Sequence, residues 1–127
     1  MSTSYIEYRG HGFWSFDRNT EGLISSLADR LERHGGEAWT LALAEHWRRQ
    51  ASGVFSAWMS LMLDEFLIDE GRRRRLCEML DEELVETQAN DPIHKTGMLL
   101  SKLLNGEIDW AASTPLTYMV DERPTGA

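Results

Sequence analysis

Three times along this chain apolar side chains return at every fourth residue: Leu23, Leu27 and Leu31, then Trp39, Leu43 and Trp47, then Leu76, Leu80 and Leu84. Residues four apart stand one above the other on an α-helix, so each recurrence marks one buried helix face. Helix stops and starts fall between the stripes. Gly35-Gly36 ends a first helix running from about Thr20 to His34. Glu37 opens a second, Asp69 a fourth that fades by Ala89, and Asn90-Asp91-Pro92 is a stop and restart with Pro92 at a first helical position. A fifth helix carries Ile93, Leu99, Leu100, Leu103 and Leu104 and closes at Asn105-Gly106. A chain of 127 residues patterned in this way makes one domain and can bury a core without disulfides or metal.

The stretch between Ser52-Gly53 and Asp69 differs from the others. From Val54 to Ile68 only Ser56, Ser60 and Asp64 form a narrow polar strip. Read as a third helix, it belongs in the middle of the bundle, because it is apolar on most faces. Glu65 is the one member at odds with that reading. On a helical wheel it falls between Leu61 and Trp58, so it is either buried against a cation or close enough to the helix end to reach water. Residues 1–18 are a strand and loop region. Ser4 to Arg9 alternates weakly, and Gly10 to Ser15 reads as a glycine-hinged loop whose Phe13, Trp14 and Phe16 cap the core. Residues 106–127 form a tail in which Leu116–Val120 is either a strand paired with Tyr5–Tyr8 or a short helix. The expected fold is a single compact all-α bundle of about five helices with a central apolar helix and, as a side expectation, a short terminal β pairing.

Charge is unevenly spread. Six of the eight net negative charges lie between Asp64 and Asp91, a stretch of ten acidic residues and four arginines. Four consecutive arginines, Arg72 to Arg75, spread around the whole helix circumference and make no single phosphate-binding face. Asp69–Arg73, Glu70–Arg74 and Arg74–Glu78 have spacings at which they neutralise one another. Glu70, Glu78, Asp81, Glu82, Glu83 and Glu86, with Asp64 before them, remain as the acidic surface. A net charge of −8 opposes binding to nucleic acid or to anionic lipid, and favours a basic protein partner.

Chemistry-bearing motifs are missing. His11, His34, His46 and His94 fall in no metal-ligand spacing, and the glycines match no phosphate loop. Cys77 cannot form an internal disulfide. It lies beside Leu76 and Leu80, where a cysteine acts as a small hydrophobe rather than a nucleophile. No cofactor, metal or catalytic residue is expected. Met1 to Glu7 lacks the basic and apolar regions of a signal peptide, no run reaches the length of a membrane span, and a cytoplasmic location is expected.

Small acidic helical chains of this build resemble the immunity proteins that bacteria pair with antagonistic toxins. Gly12-Phe-Trp14 and Leu63-Asp-Glu-Phe66 look like segments of small bacterial proteins of that kind. The resemblance implies a soluble neutraliser that covers the active surface of a basic toxin domain. The expected function is therefore non-enzymatic protein binding, with Glu78, Asp81, Glu82, Glu86 and Asp64 supplying the field and Trp14 an apolar anchor. Two alternatives stay open: a small-molecule or enzymatic domain with a Trp/Met-lined pocket, and a homo-oligomer joined through its apolar stripes.

Overall fold

The computed structural model of the protein describes residues 3–52 and 59–111. Strand β1 (Thr3–Tyr8) pairs antiparallel with β2 (His11–Phe16), in a register that sets Tyr5 opposite Trp14 and Ile6 opposite Phe13. The two residues between them, Arg9 and Gly10, have φ of 52° and 83°. Two successive positive φ values make the turn whose twist suits a two-residue hairpin, and Gly10 takes that conformation without steric cost. The expected strand at Ser4–Arg9 is present, but the expected glycine loop is a turn followed by a second strand. Ser4, Ile6, Tyr8, Phe13 and Ser15 face the interior, whereas Tyr5, Glu7 and Trp14 face outward. The fold is therefore mostly helical with a small sheet, and is not purely all-α. Tyr5–Tyr8 takes β2 as its partner, and Leu116–Val120 lies outside the described residues.

Helix α1 (Asp17–Arg30) follows β2 directly, three residues ahead of the expected start. It buries Thr20, Leu23, Ile24, Leu27, Ala28 and Arg30, widens into a π-helical turn over Leu31–Gly35, and stops at Gly36, whose φ is 72°. Helix α2 (Ala38–Ala51) buries the predicted Trp39, Leu43 and Trp47 stripe. At its start the Thr40 hydroxyl accepts a hydrogen bond from the Glu37 N–H at 3.2 Å.

The expected third helix is the main departure. Val54 to Trp58 lie outside the described residues, and Met59 to Met62 are not helical. Met59, Leu61 and Leu63 are buried in alternation with exposed Ser60, Met62 and Asp64, which is the period of an extended chain. Only a short helix, α3 (Leu63–Phe66), follows. The physical reason is a set of side chains from distant elements that capture this backbone. The Trp47 indole donates to the Leu61 carbonyl at 3.0 Å, and the Gln50 amide oxygen accepts from the Ser60 N–H at 2.8 Å. The ring of His46 lies 2.8 Å from the Ser60 carbonyl, and the Ser4 hydroxyl accepts from the Met59 N–H at 3.0 Å. Backbone groups satisfied by side chains have no need of a helix. Glu65 lies in α3 and is exposed, so of its two expected placements it takes the one that reaches water.

Helix α4 (Glu70–Glu86) begins where expected, with the Asp69 carboxylate accepting from the Arg72 N–H at 2.8 Å. Helix α5 (Pro92–Leu104) begins at Pro92, with the Asp91 carboxylate on the Ile93 N–H at 2.8 Å. The central element is α1, which packs against α2, α4, α5 and β2. The expected central helix is thus replaced by an earlier one.

Ser4 is fully buried, and its hydroxyl also donates to Asp17 at 2.6 Å, so one side chain ties the hairpin to both α1 and the extended segment. Ser4→Ala leaves the buried Met59 N–H without its acceptor. It is expected to cost about 1–3 kcal/mol in urea unfolding. Gln50→Ala, acting on the exposed Ser60, is expected to cost less than half of that.

Candidate functional site

The outer face of α4 is built by periodicity. Leu76, Cys77, Met79, Leu80 and Glu83 are buried, which turns Glu78, Asp81, Glu82, Val85 and Glu86 toward solvent. Val85 stands one helical turn beyond Asp81 and Glu82 and two turns beyond Glu78. It is 85% exposed, the most exposed large hydrophobic side chain among the described residues. Charge patterning alone gives this residue no weight. The signal was available in its spacing of nine residues from Leu76 and five from Leu80, which puts it opposite the buried stripe.

Beneath this face lies Arg30 of α1. It and Glu83 are each about 8% exposed at the side chain, and Arg30 Nε donates to Glu83 at 2.9 Å. Arg30 Nη1 donates to Glu82 at 3.3 Å, and Nη2 donates to Glu86. One guanidinium thus holds three carboxylates of one helix. The Glu82 and Glu86 side chains remain 56% and 67% exposed, so each keeps an outward surface in water. The hydrogen bond to Glu83 raises the pKa of Arg30 against the opposing effect of burial. Glu83, expected on the acidic surface, is buried instead. Arg30 was missed as well, although it lies three residues past Leu27 and seven past Leu23, on the buried side.

The arginine run is spread around the helix as expected, but the pairs differ. Asp69 is occupied as the α4 cap, Arg73 pairs with Glu70, and Arg75 pairs with Glu78 at 3.1 Å. Both pairs are three residues apart, where four were expected. Arg72 stacks over the Trp39 ring at 5.3 Å, Arg73 also donates to the Leu104 carbonyl at 3.3 Å, and Arg75 donates to the His34 carbonyl at 2.7 Å. These arginines join α4 to its neighbours.

The remaining predicted residues sit elsewhere. Trp14 and Asp64 line a cleft between the outer face of the hairpin and residues 59–65, and no α4 residue lines it. The six predicted partner-binding residues therefore divide into an α4 face (Glu78, Asp81, Glu82, Glu86) and a cleft pair (Trp14, Asp64). Among the described residues, no group of three or more His, Cys, Asp or Glu is placed to hold a metal ion, and no helix is long and apolar enough to cross a membrane. No protein-family model matches the chain, and no curated protein or solved structure is significantly similar to it.

Removing Arg30 strands a buried carboxylate. Arg30→Ala is expected to destabilise the protein by about 3–5 kcal/mol, and Arg30→Met combined with Glu83→Leu to recover most of the loss. Glu86→Gln, at the exposed edge, is expected to cost under about 1 kcal/mol. Urea unfolding of the four proteins checks this order.

Cys77 is buried, and burial pushes its thiol pKa up against the lowering effect of Arg73. A group whose folded pKa is raised contributes stability that is fully present below its unfolded pKa and is lost as pH rises through the folded value. Unfolding free energy is therefore expected to fall above the ordinary thiol range. Cys77→Ala is expected to flatten that part of the curve, as read by urea titrations across alkaline pH.

Proposed function

We propose that the protein is a non-enzymatic binding module whose α4 outer face meets a basic protein surface. The observation that carries this reading is Val85, 85% exposed on the same helix face as Asp81, Glu82, Glu78 and Glu86. An apolar side chain ringed by carboxylates gives a partner a point to desolvate at the centre and a field to orient in at the rim. From Leu76 to Glu86 the helix carries five carboxylates and no basic residue of its own. The Arg30 and Arg75 contacts engage several of them but leave the face net negative. With the immunity-type resemblance of Gly12-Phe-Trp14 and Leu63–Phe66, the partner is a basic toxin domain masked by this face. On the same reading the protein works in the cytoplasm, where the lone Cys77 stays reduced.

The test is affinity capture from the source cells at low and high salt, with the wild type and an Asp81→Lys/Val85→Lys variant in parallel. Those two positions are chosen because both are exposed and neither contacts Arg30 in the cluster. The expected outcome is a basic protein held by the wild type at low salt, released at high salt, and bound at least tenfold more weakly by the variant. Equal retention by both proteins, or no basic protein at low salt, overturns the reading.

A further inference from the structure

The α4 face leaves the cleft beside the hairpin without a role. This cleft has a volume of about 390 Å³, within the range of small-molecule sites. One wall is the cross-strand pair of Tyr5 and Trp14, whose ring centroids are 5.4 Å apart at 50°. Gly12 makes that wall possible. A Cβ at Gly12 would collide with the Ile6 carbonyl oxygen and would lie 2.8 Å from Cζ of Tyr5, so glycine is required there and the tyrosine ring lies across β2 at that position. The opposite wall is the extended segment, with Met59 buried and Met62 exposed in the left-handed conformation at φ 51°.

The charged side chains that line the cleft have one sign. Glu7, Asp64 and Glu65 line it and are exposed, and among the described residues no lysine, arginine or histidine lines it. Asp64 gives one oxygen to the Arg9 N–H at 2.9 Å. The Tyr5 hydroxyl is buried and has no hydrogen-bond partner among the described residues. Two aromatic faces, a thioether-lined wall and a one-signed acidic rim suit a positive charge on an apolar stem. Aromatic faces attract cations, and the carboxylates oppose anions.

We propose that this cleft binds a small organic cation, a primary ammonium or guanidinium on a short alkyl chain. Tyr5 and Trp14 form the aromatic wall, with Glu7 and Glu65 as the counter-charges. This goes beyond the α4 interface and does not depend on it.

Calorimetry and NMR of the intact chain test the assignment, with butylammonium, butylguanidinium, butanol and butyrate as probes. The Trp14 indole N–H is assigned by its loss in Trp14→Phe. Both cations are expected to bind saturably and to shift that resonance, while butanol and butyrate bind at least tenfold more weakly. Glu7→Gln/Glu65→Gln is expected to weaken cation binding at least fivefold without changing the melting temperature. Butanol binding as tightly as butylammonium, a Trp14 resonance that does not move, or unchanged affinity in the double variant overturns the proposal.

Discussion

The contact between Arg30 and Glu83 is the interaction on which the helical layers depend. Both charges are out of water, and desolvation makes such a pair expensive unless each charge finds full compensation. Arg30 meets that condition by giving Nε, Nη1 and Nη2 to three carboxylates. Because α1 is also the helix that α2, α5 and β2 pack against, the cluster fixes α4 to the centre of the fold. The cluster also settles a problem within α4. Glu82, Glu83 and Glu86 lie near its C-terminus, where the helix dipole disfavours negative charge, and its last turn has no basic residue. The missing cation is supplied from α1.

What could be read from the sequence follows the range of the interactions. Helix ends were legible at Gly36, Asp69, Asp91-Pro92 and Asn105-Gly106, because a cap is a contact between residues two or three apart. The buried faces at Leu23, Trp39 and Leu76 were legible because helical period alone sets them. The Met59–Met62 path was not. A run that is apolar all round has no period to separate a helix from a buried extended chain. The groups that decide the matter, Trp47, Gln50 and Ser4, are ten to fifty-five residues away. The second strand was hidden for a related reason, since the glycines on either side of His11 suggested a loop, and the Ile6–Phe13 pairing that contradicts it is a tertiary fact.

The candidate face was legible in direction and not in state. Periodicity turned Glu78, Asp81, Glu82 and Glu86 outward, as they stand. It could not show that Glu82 and Glu86 reach back to an arginine more than fifty residues earlier. Nor could charge counting show that Trp14 and Asp64 share a cleft of their own, because that requires the extended segment to run beside the hairpin.

On the proposed reading of the α4 face, the same pairing bears on binding. A flexible glutamate loses rotamer freedom when a partner fixes it, and this opposes affinity. Glu82 and Glu86 are already held from below by Arg30, so part of that ordering occurs on folding. Their outer surfaces then flank Val85 as a fixed acidic frame. A solubilising role alone does not call for this arrangement. Acidic residues placed at the start of α4 would dissolve the protein equally well and would favour the helix dipole. Placing them at the far end, where they need a buried cation beneath them, makes sense for a surface whose shape and charge are presented together.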